Sequence, residues 1–375
     1  MINDLIKQCE EVALHPKKYV NDYVTSKNVK AVGMAPLFGP TELVHAAGML
    51  PVGLWGTETK ELDLSKQYFP AFCASLIMAI MESGLDGTYS DLSACIIPGM
   101  SDTLNSFGQN WKHGIKEIKH IPIVYPQMRK EDFGIKFLVE ELKDVKAKLE
   151  EVSGNEITEE NLQKSIELFN EHRKEMRDFS ELAASHPNTI DNKKRMFVYK
   201  SAQYMAKEEH LELIKKINEE LRNLPEEKYE GKRVVTTGIH LDDVNILETL
   251  EEFNLRIVGD LMAQESIQYN TDVPADGVDG LERIAKQWRD IEGFTAAYDP
   301  KKLRGKMVGE LAKERNAVGA IFALVKFSDF EEYDMPICLQ DIRDAGIPVV
   351  NFEIDHQDKS SEQVKTRIQT FSEII

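Results

Sequence analysis

The chain has little sulfur with which to cross-link itself. Its four cysteines, Cys9, Cys73, Cys95 and Cys338, are scattered through 375 residues at spacings that form no disulfide framework. No histidine or cysteine cluster has the spacing of a structural zinc site. No apolar run is long enough to span a membrane, and the opening Met1-Ile2-Asn3-Asp4-Leu5-Ile6-Lys7 lacks a signal-peptide pattern. A cytoplasmic protein with no membrane partner is expected. Positive charge is in deficit: 46 Lys and Arg stand against 64 Asp and Glu, a formal net charge of −18. This argues against a nucleic-acid partner, because phosphate backbones require a concentrated basic face. Small anions stay open, since a local patch can hold them. The first βα loop reads Gly33-Met34-Ala35-Pro36-Leu37-Phe38-Gly39 and its later counterpart Gly238-Ile239-His240-Leu241-Asp242. Neither carries a Gly-x-Gly-x-x-Gly fingerprint or a P-loop, and the chain has no Gly-x-Ser-x-Gly elbow.

What is present is globular material for two or three domains, with 42% hydrophobic and 29% charged residues. Two stretches organise it. Ala94-Cys95-Ile96-Ile97 leads to Ser101-Asp102, and Ala320-Ile321-Phe322-Ala323-Leu324-Val325 leads to Ser328-Asp329. Unbroken aliphatic runs of this length read as buried strands of parallel sheets. Their polar pairs fall just past the carboxyl ends, where open α/β sheets carry their chemistry.

Around the first stretch, residues 2–28 read as a helix broken near Pro16. Residues 29–34 and 50–55 read as strands joined by a helix that Thr41 caps, with Glu42 in its first turn and a stop at Gly48. A helix over 68–84 (Phe69, Phe72, Leu76, Ile80), the strand at 94–97, a helix through Leu104 and Trp111, and a strand at 121–125 follow. From 133 to about 228, apolar residues recur every three or four positions amid dense charge, as in amphipathic helices. Breaks fall at 153–155, 185–188 and 224–225. A second set then begins: strands at 234–238 and 255–260, a helix at 245–253, helices through Leu281 to Trp288 and near 306–315, a strand at 319–325, and a last strand and helix at 348–353 and 363–374. The expected fold is α/β, with two Rossmann-like lobes whose parallel sheets face a central cleft, plus a helical layer. The divisions are 1–132, 133–230 and 231–375.

Among individual residues, His45 reads as a partly buried histidine satisfied by a backbone carbonyl, and Asp243 as the cap of the next helix. Cys9 and Cys338 read as small hydrophobes, and Cys95 as a strand residue turned into the sheet. Glu42 and His45 are the polar groups of the first lobe most suited to function, and they are weak catalytic candidates.

Several motifs resemble a known family. Phe69-Pro70-Ala71-Phe72-Cys73-Ala74-Ser75, Ile97-Pro98-Gly99-Met100-Ser101-Asp102, Asn170-Glu171-His172-Arg173 and Lys326-Phe327-Ser328-Asp329-Phe330-Glu331-Glu332-Tyr333 are similar to the small (beta) subunit of the 2-hydroxyacyl-CoA dehydratases, relatives of the benzoyl-CoA reductase subunits. Ala46-Ala47-Gly48-Met49-Leu50-Pro51 fits the same pattern. The resemblance implies a heterodimer with a larger homologous subunit and an ATP-dependent activator that injects an electron into a [4Fe-4S] cluster. It also implies an (R)-2-hydroxyacyl-CoA substrate that loses water through a ketyl radical, as in anaerobic amino-acid fermentation. The family's three cluster cysteines align with Ala74 (Cys73 being one residue early), Ser101 and Ser328, next to Asp102 and Asp329. A cubane requires soft thiolates, and a serine hydroxyl is hard and stays protonated. The expectation is therefore no metal and no cofactor in this chain, with the [4Fe-4S] cluster in the partner subunit; if a cluster is present, Cys73 is its first ligand. Relatives tend to carry Arg near the position of Ile267, which weakens the case for acyl-CoA recognition here. The alternative is a diverged paralogue that binds a small anionic metabolite in its cleft.

Overall fold

The computed structural model describes residues 1–36, 38–57, 59, 61–355 and 362–375. Leu37, in the first βα loop read above, lies outside the described residues. Among the described residues, eight strands form two sheets. The first holds β1 (Ala31–Met34), β2 (Leu50–Gly53), β3 (Leu92–Pro98) and β4 (Lys119–Ile123), all parallel, in the order β2-β1-β3-β4. The second holds β5 (Lys232–Gly238), β6 (Leu255–Met262), β7 (Gly319–Val325) and β8 (Val349–Ile354), also parallel, in the order β6-β5-β7-β8. The two sheets thus share one plan, and the α/β expectation holds.

The apolar runs behave as their composition dictates. All seven residues of β7 are buried, as is every residue of β3 except Ser93. At the end of β5, Gly238 has φ of +151°, and a Cβ there would collide with the carbonyl oxygen of Ala323 on the neighbouring strand. Only glycine permits that approach.

Helices α1 (Ile2–Leu14) and α2 (Pro16–Lys27) lead in, with Pro16 starting the second. Then α3 (Thr41–Ala46), α4 (Ser75–Leu85) and α5 (Asp102–Gly114) alternate with the strands of the first sheet. The middle stretch forms α6 (Asp132–Ser153), α7 (Glu159–Ser185), α8 (Asn192–Ser201) and α9 (Lys207–Arg222), as its periodicity and breaks indicate. Helix α7 packs on both α3 and β6, so this helical layer touches both halves. The second sheet carries α10 (Val244–Glu252), α11 (Gly280–Asp290), α12 (Arg304–Glu314), α13 (Asp329–Asp344) and α14 (Glu362–Ile374).

Three local readings need correction. Thr41 is the first helical residue and Pro40 is the cap; the threonine hydroxyl bonds Glu42 Oε2 at 3.1 Å. The helix expected over 68–84 begins only at Ser75, after a 3₁₀ turn (Ser65–Gln67) and a turn around Pro70, which leaves Phe72 71% exposed. Helix α13 was not anticipated from the sequence. Asp243 does cap α10, accepting from Asn245 N at 2.8 Å.

Candidate functional site

In each sheet the chain moves outward in opposite directions from the two central strands, so the carboxyl ends of β1 and β3, and of β5 and β7, flank a topological switch point. A cavity of about 450 Å³ lies between these ends. Pro36, Ala74 and Met100 to Leu104 line it from the first half, and Ile239, Phe294, Val325, Phe327 and Ser328 from the second.

The structure brings together Ala74, Ser101, Ser328, Asp102 and Asp329, all of which line this cavity. Each of the first three is the N-cap of a helix that starts there: Ala74 of α4, Ser101 of α5 and Ser328 of α13. Ser101 Oγ accepts from Leu104 N at 3.2 Å, whereas the Ser328 hydroxyl makes no capping bond and its residue is only 5% exposed. Asp102 and Asp329 are exposed. Cys73 is buried in the turn that precedes α4, with Sγ 3.8 Å from Ala74 O, and burial pushes its thiol up to about 11. Burial likewise raises Cys9 and Cys338 to about 11, and Cys95 well above the ordinary thiol range. The lining therefore does not suit a cubane: it offers a methyl, two hydroxyls and two carboxylates but no thiol, and Cys73 does not line the cavity. Among the described residues, no group of three or more His, Cys, Asp or Glu is arranged to hold a metal ion.

A second, smaller cavity of about 100 Å³ adjoins it at Pro36. Glu42, 2% exposed, faces it and is ion-paired to Arg173 of α7. Burial opposes ionisation of Glu42, but the guanidinium outweighs it and holds the carboxyl below its ordinary range. Such a carboxylate is a weak base. Asn170 Oδ1 accepts from Arg173 Nη1 at 2.8 Å and from Val273 N at 2.9 Å, while its Nδ2 donates to Val273 O at 2.9 Å. His172 Nε2 lies 2.9 Å from His210 Nδ1, and His210 Nε2 lies 3.2 Å from the Val198 carbonyl. That carbonyl only accepts, so His210 carries its proton on Nε2 and His172 donates to His210 from Nε2. Burial, followed by the charge of Lys207, keeps both rings neutral, His210 falling to about 3 and His172 well below its ordinary value. The Asn170 to Arg173 motif is thus one turn of helix that pins a loop, a histidine pair and the Glu42 carboxylate.

Lys207, at the start of α9, lines the same cavity and donates to Ala202 O at 3.0 Å. Burial, and next the charge of Arg173, push it from 10.5 down to about 7. His45 does not line this cavity: its ring nitrogens lie 2.7 Å from Ser165 Oγ and 2.9 Å from Glu208 Oε1, side-chain partners rather than the expected carbonyl. Arg195 of α8 is buried between Asp260 of β6 and Glu265 just past it. Burial pushes Glu265 up to about 7 against the pull of Arg195, and Asp260 adds to the rise. Arg129 ties the cavity wall: its guanidinium donates to Trp288 O (3.1 Å), Arg289 O (2.6 Å), Tyr298 O (3.2 Å) and Glu292 Oε2 (3.0 Å). Lys207, Arg195 and Arg129 were not foreseen; a basic residue within an otherwise apolar helical face was the available signal for Arg195 and Lys207.

Two parallel sheets of one strand order, meeting at their switch points around a shared cavity, define a two-lobed α/β protein with a cavity between the lobes. The chain belongs to the 2-hydroxyacyl-CoA dehydratase family: the family model described as 2-hydroxyglutaryl-CoA dehydratase, D-component, matches residues 36–375. It is 45% identical to the (R)-phenyllactyl-CoA dehydratase beta subunit of Clostridium sporogenes over 98% of this chain and 97% of that one. It is 39% identical to lactoyl-CoA dehydratase subunit beta of Anaerotignum propionicum (100% and 99%), and 33% identical to the (R)-2-hydroxyglutaryl-CoA dehydratase subunit beta of Acidaminococcus fermentans (99% and 99%). The family expected from the motifs, with its small-subunit branch, is borne out.

Proposed function

We propose that this chain is the beta-type subunit of a 2-hydroxyacyl-CoA dehydratase, which removes water from an (R)-2-hydroxyacyl-CoA to give an enoyl-CoA. Relatives similar along their whole length carry that role in their names. The chain pairs with a larger homologous subunit in the cytoplasm, and an ATP-dependent activator supplies the pair with its electron. The cluster belongs to the larger subunit, and this chain holds none. The observation that carries this reading is local. The strand ends converge on one cavity as the fold requires, yet Ala74, Ser101 and Ser328 bring no thiolate to it. The chain's own contribution is to complete the shell around the partner's site and to keep water out of it. Arg173 and Glu42 hold the cleft wall in place.

Co-expression with the larger subunit, followed by an anaerobic assay with activator and ATP, tests the assignment: the pair yields enoyl-CoA and either subunit alone yields none. Iron and sulfide analysis of this chain purified without oxygen tests the cluster. The expected result is none, and about four irons per chain would overturn it.

A further inference from the structure

We infer that the cavity at the strand ends is a binding site for a neutral, largely apolar organic molecule, with an aryl or branched aliphatic body and one carbonyl group. This rests on the reading that the chain holds no cluster there.

Size and walls come first. At about 450 Å³ the space matches a small-molecule site, and Leu76, Ile77, Leu104, Ile239, Phe294 and Val325 make most of its surface apolar. Tyr333, 82% exposed on α13, also borders it.

Charge then selects among possible occupants. The N-termini of α4, α5 and α13, helices of 11, 13 and 16 residues, converge on the cavity. The leading N–H groups of a helix lack acceptors within it, and the helix end carries partial positive charge. These helix ends alone disfavour a cation. Asp102 and Asp329 stand in the first turns of α5 and α13 on the cavity lining, so an anion meets two carboxylates. A neutral acceptor is the group that both features tolerate.

The Ser328 hydroxyl provides the specific contact. It lines the cavity, belongs to a residue 95% buried, and makes no bond to its own helix, whereas the corresponding hydroxyl of Ser101 is already engaged by Leu104 N. A hydroxyl that lines open space and makes no bond to its own helix has a donor to give, and a carbonyl oxygen accepts it.

The test uses the full chain and three probes of one shape: 3-phenylpropanamide (neutral), 3-phenylpropanoate (anion) and 3-phenylpropan-1-amine (cation), each followed by calorimetric titration and ligand-observed NMR. The amide binds, and both charged probes bind at least about tenfold more weakly. Ser328→Ala weakens the amide about fivefold, the effect of one net hydrogen bond. Ala296→Trp, on a partly exposed wall position, fills the space and abolishes binding, with circular dichroism reporting its fold. The inference is overturned if the amide does not bind at millimolar concentration, if the carboxylate equals it, or if Ser328→Ala leaves its affinity unchanged. Iron analysis of the same preparation separates the two claims: iron defeats the cluster-free reading, whereas an iron-free chain that ignores the amide defeats this inference alone.

Discussion

Lys207 brings an ammonium group into the cleft beside Arg173, with the Ala202 carbonyl as acceptor. Unfolded, it titrates near 10.5; folded, near 7. Between those values the unfolded chain holds a proton that the folded chain lacks, so this group makes stability rise as pH climbs from 7 to 10.5. The penalty is full below 7. At about 1.4 kcal/mol per pH unit, it reaches the order of 4 kcal/mol near neutrality. Lys207→Met keeps the stem and removes the charge, so urea unfolding at pH 7 should show a gain of about 2 kcal/mol after loss of the hydrogen bond. By pH 10 the gain should have largely disappeared; an equal gain at both pH values would mean the charge is not its cause. The Glu42–Arg173 pair behaves oppositely. Arg173→Met strands an ionised carboxylate and should cost about 3 kcal/mol, part of which Glu42→Gln restores in the double variant. Additive losses in that cycle would show that the two groups do not interact.

At the scale of elements, strands were the most legible. An unalternating run such as Ala320 to Val325 has no polar residue to place in water, so burial on both faces follows from composition alone. Turns were less legible. Phe69, Phe72, Leu76 and Ile80 keep helical spacing, yet Pro70 and the turn around it hold Phe72 outside the core. Helix α13 hid because Pro336, ordinarily a helix breaker, stands inside it and its start is acidic rather than apolar. The site was legible where it depends on strand ends, since Ser101 and Ser328 follow their strands directly. The ion-pair networks were not, because Glu42 and Arg173 stand 131 residues apart and nothing local marks them as partners. Gly238 offers a prediction at this scale. Gly238→Ala drives a methyl into the Ala323 carbonyl at positive φ and should cost about 2 to 4 kcal/mol, measured by chemical denaturation. A loss below about 1 kcal/mol would mean β5 and β7 can part without harm.

For the whole molecule, one strand order used twice explains why a single cavity is bounded by residues as distant as Ala74 and Ser328. Helix α7 contacts both halves, so the middle stretch acts as a brace. The segment bearing Phe294 and Ala296 runs between two anchorages of Arg129, at Trp288 to Glu292 on one side and Tyr298 on the other. Arg129→Met should make residues 291–298 a preferred site of limited proteolysis while the rest of the chain resists. Unchanged cleavage would show that the segment holds itself.

That four-bonded guanidinium has a geometric consequence. It turns one side of the chamber into a fixed panel, clamped at both edges. Widening or narrowing of the chamber then falls to its remaining walls, and Tyr333, 82% exposed, stands at its rim.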